Sequence, residues 1–269
     1  MTRRKLRRSN FYRFTLIVLV ILGAFSAFFL WNHISRFLEK RQLAKEDMEY
    51  TFSRYPGYGI WVPDQFLVHG IDVSRYQKRI NWRLVHGMED RGLRLHFAFM
   101  KATEGTTIID PQFARNWRKS REAGMVRGAY HFFRQSSSGK SQAEYFLKQV
   151  KLRPGDLPPV LDVEVFTGND LDEFIREIDI WLRTVEEATG VQPIIYTYAS
   201  FYNQHLAGRF EQYPLWVAHY RNRVSPRVYR AWHFWQHSES GKVNGINGFV
   251  DFNVFNGSPG AFDSLLVKP

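Results

Sequence analysis

Five short apolar segments recur along this chain at intervals of about 30 residues, which is the length of one β-strand plus one helix. Each segment has the β-branched and aromatic content of a strand, and they lie at residues 68–73, 95–101, 126–132, 160–165 and 193–198. Helical patterns fall between them at residues 110–123, 141–150 and 170–189. Strands that alternate with helices predict a parallel sheet, so we expect an α/β fold.

The pattern changes after Tyr198. A short helix is expected near Ser200, and three more strand-like runs follow too closely for full helices between them, at residues 215–220, 231–237 and 249–255. Five βα units and three further strands make eight strands, the number that closes a barrel filled with side chains. The predicted fold is therefore a TIM-like (β/α)5(β)3 barrel.

Two carboxylates interrupt the fourth predicted strand. Side chains alternate between the two faces of a strand, so Asp162 and Glu164 are expected on one face and Val163 on the other. Ionised carboxylates inside a sheet are costly unless they are paired, hydrogen-bonded or protonated, and a catalytic site would supply such a reason. The alternative is an edge strand with a solvated acidic face, which the apolar neighbours argue against.

Two more aspartates occupy comparable positions. Asp72 and Asp251 lie near the ends of the first and last predicted strands, and catalytic groups of such barrels lie at the carboxyl ends of strands. Each could instead be a structural residue that binds turn amides. Together the four carboxylates fit three kinds of site: glycoside hydrolysis, metal-assisted hydrolysis, and binding of an amino sugar or cation without chemistry.

Aromatic residues near the strand ends favour a sugar over a metal, because their rings can stack on pyranose faces. They are Tyr130, Tyr196, Tyr198, Trp216, Tyr220, Trp232 and Trp235. Core packing is the alternative for about half of them. The histidines on or near strands are interpreted as core or supporting groups, since the carboxylates already fill the catalytic roles; they are His131, His219, His233 and His237.

The N-terminal region predicts a membrane anchor. A basic tail at residues 1–13 precedes 18 uncharged residues at 14–31, about 27 Å as a helix, which nearly matches the roughly 30 Å core of a bilayer. The basic tail should stay cytoplasmic, so the rest of the chain is expected on the periplasmic or extracellular side of the cell membrane. A cleaved signal peptide, with secretion, is the competing interpretation. Residues 32–65 are interpreted as a stalk and linker before a catalytic barrel at 66–269.

Charge and composition limit the classes of binding partner and site that are expected for this chain. The net charge is +11, but residues 1–50 contain 10 Lys/Arg against 4 Asp/Glu, so more than half of the excess lies outside the predicted barrel. No basic run with interleaved aromatics follows, and nucleic acid is therefore not an expected partner. The chain has no cysteine, which excludes disulfides, thiolate catalysis and Cys-type zinc sites.

Eight short motifs together resemble the glycoside hydrolase family 25 muramidases, the Chalaropsis-type lysozymes. In chain order they are HGIDVSRYQ (69–77), KATEG (101–105), GAYHF (128–132), LDVE (161–164), IYT (195–197), LWVA (215–218), WQ (235–236) and VDFN (250–253). The resemblance covers roughly residues 66–262. It implies a (β/α)5(β)3 barrel and cleavage of the β-1,4 bond between N-acetylmuramic acid and N-acetylglucosamine in bacterial peptidoglycan.

The resemblance also implies roles for individual residues. Glu164 corresponds to the general acid, and Asp162 to the partner carboxylate that orients the 2-acetamido group or supports the cationic transition state. Asp72 and Asp251 correspond to two positioning aspartates. The implied sugar contacts are Tyr130, Tyr196, Trp216, Tyr220 and Trp235. No cofactor or metal is implied, a monomer is expected, and lytic and wall-remodelling roles both stay open.

Two alternatives compete with a muramidase. The first is a catalytically silent peptidoglycan-binding module, although binding alone would not require a buried carboxylate pair. The second is a metal-dependent hydrolase, which the lack of His-rich ligand spacing disfavours.

Overall fold

The computed structural model describes residues 50–220 and 225–269, and the structural statements below refer to these residues. Eight strands close into a barrel, because the first strand pairs with both the second and the last. The strands are β1 (Val68–Val73), β2 (Leu93–Glu104), β3 (Val126–Phe132), β4 (Val160–Asp162), β5 (Ile194–Tyr198), β6 (Leu215–Ala218), β7 (Phe234–Gly241) and β8 (Val250–Phe255). Strands β1 to β7 run parallel, and β8 is antiparallel to both of its neighbours.

Helices follow the first five strands, and the predicted α/β barrel of eight strands is thereby confirmed. They are α1 (Trp82–Gly87), α2 (Phe113–Glu122), α3 (Gly139–Gln149), α4 (Leu171–Thr189) and, after β5, the short segments Ala199–Phe201 and Tyr202–Leu206. A last helix, α5 (Pro259–Leu265), follows β8. Smaller elements are the 3-10 turn Arg75–Gln77 and the two-residue strands Glu89–Asp90 and Ile108–Ile109.

Aromatic rings fill the barrel interior. Phe99 stacks on Trp216 with 4.4 Å between ring centroids, and Phe97 packs edge-on against Phe99. A Cβ atom at Gly70 or Gly128 would lie 2.4 Å from the ring of Phe97 or Phe99, respectively. Only glycine fits at these two positions, which explains why both motifs that contain them need it.

Strand β4 is shorter than predicted. It ends at Asp162 rather than at residue 165, so Glu164 lies beyond the strand. The chain is still tied to β5 at this point, because Val163 donates its N–H to the carbonyl of Tyr196 at 2.9 Å and accepts from Thr197 Oγ1 at 2.6 Å. Asp162 and Glu164 nevertheless line the same cleft.

Residues predicted as the end of a linker belong to the folded domain. Phe52–Tyr55 and Ile60–Pro63 form an antiparallel hairpin. Tyr58, in its turn, is fully buried, and its hydroxyl lies 3.2 Å from the carbonyl oxygens of Met88 and Leu93. The domain therefore begins before Phe66, because this hairpin covers part of the outer barrel wall.

The predicted transmembrane segment at residues 14–31 and the basic tail at 1–13 lie outside the described residues. Within residues 50–220 and 225–269, no helix has the length and apolarity needed to cross a membrane.

Candidate active site

A cleft with a cavity volume of about 280 Å³ opens at the carboxyl ends of the barrel strands. Its lining residues are Asp72, Ser74, Tyr76, Lys101, Tyr130, Phe132, Asp162, Glu164, Tyr196, Tyr198, Trp216, Tyr220, Gln236, Glu239 and Asp251. All four predicted carboxylates are among them, as are four of the five predicted sugar contacts. The barrel therefore brings together residues that are up to 179 positions apart in the sequence.

Asp72 and Asp251 form a carboxyl pair on adjacent strands. Their Cα atoms are partners in the β1–β8 ladder, and their side chains are hydrogen-bonded to each other. Burial, together with the charge of Asp72, raises the pKa of Asp251 to about 8, while burial raises the pKa of Asp72 to about 6. At neutral pH Asp251 is therefore the protonated member, and it donates its proton to the Asp72 carboxylate.

Two amide side chains complete the surroundings of Asp72. Asn253 Nδ2 and Gln236 Nε2 donate to Asp72 Oδ2 at 2.8 and 2.6 Å. The orientation of Asn253 follows from Trp216, whose indole Nε1 is only a donor and lies 2.8 Å from Asn253 Oδ1. Asp72 is thus an acceptor on every side, as an ionised carboxylate requires.

Gln236 links Asp72 to the hydroxyl groups of Tyr196 and Tyr220 through hydrogen bonds. Because its amide nitrogen faces Asp72, its Oε1 must accept, and the hydroxyls of Tyr196 and Tyr220 donate to it at 2.7 and 2.5 Å. The hydroxyls of Tyr196 and Tyr198 also contact Glu164, and these hydrogen bonds lower its pKa in opposition to burial.

Asp162 and Glu164 lie in the same cleft with raised pKa values. Burial is the main cause for both side chains, and the charge of Glu164 further raises the pKa of Asp162. Asp162 is only 5% exposed, and its Oδ1 has no hydrogen-bond partner within residues 50–220 and 225–269. Burial therefore holds both carboxyl groups nearer to their protonated forms than they would be in water.

Lys101 introduces a positive charge among these carboxylates. It lowers the pKa values of both Asp162 and Glu164 in opposition to burial. Its Nζ atom lies 2.6 Å from Glu104 Oε2 and 4.7 Å from the ring centroid of Phe132. Arg134 holds the other oxygen of Glu104 at 2.9 Å. The ion pairs fix Lys101 at the cleft wall, where it limits the number of protons that the cluster takes up.

The prediction of Trp235 as a sugar contact is wrong. Trp235 is fully buried on the outer face of β7, where Tyr50, Phe52 and Phe66 surround it. Its indole Nε1 donates to the carbonyl of His219 at 2.9 Å. The next residue along the strand therefore faces the cleft instead.

Several cleft residues were not among the site residues predicted from the sequence, notably Lys101, Phe132, Tyr198 and Gln236. Lys101 and Gln236 were visible within the KATEG and WQ motifs, and Tyr198 was among the aromatic residues near strand ends. None of the four histidines considered above lines the cleft. His131, for example, is buried between Thr103 Oγ1 at 2.7 Å and Gln142 Oε1 at 3.1 Å, in agreement with the predicted supporting role. Within residues 50–220 and 225–269, no three His, Asp or Glu side chains are arranged to hold a metal ion.

Comparisons with known proteins place this cleft in a family. The model of "Glycosyl hydrolases family 25" matches residues 71–246. The uncharacterized protein YegX of Escherichia coli K12 is 51% identical over 209 residues, which are 78% of this chain and 77% of that protein. Lysozyme M1 of Streptomyces globisporus is 37% identical over 206 residues, which are 71% of this chain and 68% of the lysozyme.

A solved structure leads to the same family. A family 25 glycosyl hydrolase from Bacillus anthracis matches 77% of this chain and 96% of its own, with a TM-score of 0.70 and 31% sequence identity. The family model, these relatives and the eight-stranded barrel agree with one another. This chain therefore belongs to the glycosyl hydrolases family 25 and is a glycoside hydrolase of the muramidase type.

Proposed function

We propose that this domain hydrolyses the β-1,4 bond between N-acetylmuramic acid and N-acetylglucosamine in peptidoglycan, with Glu164 as the acid and Asp162 as the partner carboxylate. The observation that carries the proposal is the surroundings of Glu164: a half-buried carboxyl group in the cleft, beside the buried carboxyl group of Asp162, with a pKa that burial raises. A glycosidase needs one carboxyl group held protonated at neutral pH, and this arrangement supplies it.

In the proposed reaction, Glu164 donates its proton to the glycosidic oxygen while the bond from that oxygen to the sugar C1 breaks. The positive charge that develops at C1 lies in a cleft whose carboxylates stabilise it. Water later adds to C1 and returns a proton to Glu164, so the acid is restored. One water is consumed, and each fragment ends with a hydroxyl group.

The unpartnered Oδ1 atom of Asp162 supports its assignment as the partner carboxylate. A buried carboxylate oxygen without a donor is unfavourable in the free protein. The 2-acetamido N–H of a bound sugar is a donor of the required kind, so binding would satisfy this oxygen. Asp72 and Asp251 act as positioning groups in this proposal, since they order Gln236 and, through it, Tyr196.

The direct test uses purified full-length chain and purified peptidoglycan, with mass spectrometry of the soluble fragments. We expect muropeptides that end in reducing N-acetylmuramic acid. Fragments that end in reducing N-acetylglucosamine would instead identify the other glycosidic bond as the target. Cosedimentation with peptidoglycan without any released fragment would favour the silent binding module.

A pH experiment tests the hydrogen bond between Tyr198 and Glu164. In Tyr198→Phe the carboxylate of Glu164 loses a donor that lowers its pKa, so this pKa should rise. The basic limb of the pH–rate profile should therefore move to higher pH. In a Glu164→Gln background the same replacement should produce no such shift in the residual rate. An unmoved limb in Tyr198→Phe alone would contradict this role of Tyr198.

We also propose that residues 14–31 anchor a monomeric enzyme in the cell membrane, with the catalytic domain on the periplasmic or extracellular side. The support is the uncharged run that follows a basic tail. Membrane fractionation combined with protease accessibility tests it; release of the chain into the medium would favour the cleaved signal peptide.

A further inference from the structure

A second concave surface lies on the outside of the barrel, between the start of α1 and the exposed side of α2. Its cavity volume is about 400 Å³, which is larger than that of the catalytic cleft. Four cationic side chains line it, and we call it the basic groove: Arg79, Arg83, Arg115 and Lys119. The acidic residue of the groove, Glu122, is paired with Arg118 at 2.8 Å and Lys119 at 2.5 Å.

The arginines of the basic groove lack acidic partners. Within the described part of the chain, Arg79 and Arg83 form neither an ion pair nor a hydrogen bond. Arg115 is half-buried, and its Nη1 donates to the carbonyl of Ile80 at 2.9 Å. Burial and the charges of Arg79 and Arg118 lower the pKa of Arg115. Like charges are thus held together, and a bound anion would relieve their repulsion.

The wall of the groove is fixed before any ligand arrives. Trp82 is buried and donates its indole N–H to Asn116 Oδ1 at 3.2 Å, which joins α1 to α2. The N–H of Asn81 donates to the carbonyl of Gly245 at 2.8 Å, which ties the loop before α1 to the loop between β7 and β8. Guanidinium groups on a rigid wall suit carboxylates, which they can bind through two parallel hydrogen bonds.

The groove is continuous with the catalytic cleft along the chain. Ser74 and Tyr76 line the cleft, and Arg79 follows Tyr76 by three residues. The Cα atoms of Tyr76 and Arg79 are therefore at most about 11 Å apart. Lys78 takes up a left-handed backbone conformation between them, with φ 54°, and turns the chain from the cleft towards the groove. A peptide of four residues attached to a ligand in the cleft is about 13 Å long when extended, so it can span this distance.

We propose that the basic groove binds the free carboxylates of the peptides that peptidoglycan carries on its muramic acid residues. The inference rests on the proposed function, because a glycan bound in the cleft would present these peptides at the rim. It adds a second determinant of substrate choice: glycan with acidic peptides should bind more tightly than glycan from which they have been removed.

The test measures affinity and needs no turnover. Soluble glycan fragments are prepared with their peptides, and a second portion is stripped of peptides by an amidase. In full-length protein carrying Glu164→Gln, we expect Arg79→Gln/Arg83→Gln to weaken binding of the peptide-bearing fragments about tenfold, with a smaller effect at high salt. Binding of the stripped fragments should change less than about twofold.

The matched control is Arg176→Gln/Arg183→Gln, which removes two exposed arginines from α4, far along the chain from the groove. It should leave both affinities unchanged. Equal losses on the two fragments, or no loss on either, would overturn the proposal. Binding to vesicles that contain anionic phospholipid is measured in parallel. A loss of binding confined to these vesicles would overturn the proposal in favour of a membrane contact. Absence of turnover by the wild type would count against the proposed function alone, since this experiment measures binding.

Discussion

Glu164→Gln is expected to lower the rate of peptidoglycan hydrolysis by about 10³-fold while the protein stays folded. Glutamine has the shape of a protonated glutamic acid, so it can still meet the hydroxyls of Tyr196 and Tyr198. It cannot give up a proton to the glycosidic oxygen. The measurement is the initial rate of reducing-end release, together with a thermal unfolding curve for each protein.

The pH dependence adds a second criterion. Only the protonated form of Glu164 can act as the acid, so the wild-type rate should fall as the pH rises through its raised pKa. Below that pKa Glu164 is fully protonated. Its titration should therefore cause no change of rate in that pH range. The small residual rate of Glu164→Gln should lack the fall at high pH.

Glu239 provides a matched control for this prediction. It lines the same cleft and has the same type of side chain, but it is exposed at the rim. Glu239→Gln should retain the rate within a few-fold, because it removes a charge without removing the proton donor. If both variants kept the wild-type rate, Glu164 would not be the acid. Comparable losses in both would point to the net charge of the cleft instead.

The barrel was predictable because its signals are local. Each strand is a short apolar run between turn residues, and the helical stripe at residues 170–189 ends where Gly190 takes up a left-handed conformation with φ 68°. Asp170 accepts from the N–H of Glu173 at 2.8 Å and so begins the same helix. Such patterns depend on neighbours along the chain, and their positions survive folding.

The inner arrangement of the cleft was not predictable in the same way. Alternation separates Trp235 from Gln236, but it does not say which of the two faces the interior of a barrel. The choice is made by contacts from distant segments: the hairpin around Tyr58 and the rings of Tyr50 and Phe52 cover the Trp235 side. Likewise, Glu164 contacts Tyr196 and Tyr198 of β5, and no local pattern encodes these contacts.

Asp162→Asn is expected to lower the rate by about 10²-fold, for a reason that differs from that of Glu164→Gln. It removes a buried charge that the proposal places beside the sugar C1. It also puts an amide group at the position of the Asp162 carboxylate, whose Oδ1 has no hydrogen-bond donor in the described residues. It also removes the like charge that opposes ionisation of Glu164. The pKa of Glu164 should fall, so the basic limb of the pH–rate profile should move to lower pH.

That shift separates the electrostatic role from a merely structural one. A variant that had only lost packing would lose rate equally at every pH, and its unfolding temperature would drop. In the double variant Asp162→Asn/Glu164→Gln, the loss should be smaller than the product of the single losses, because the two groups interact electrostatically and act in one transition state. Independent, multiplicative losses with an unmoved limb would mean that Asp162 acts apart from the acid, and its assignment as the partner carboxylate would have to be abandoned.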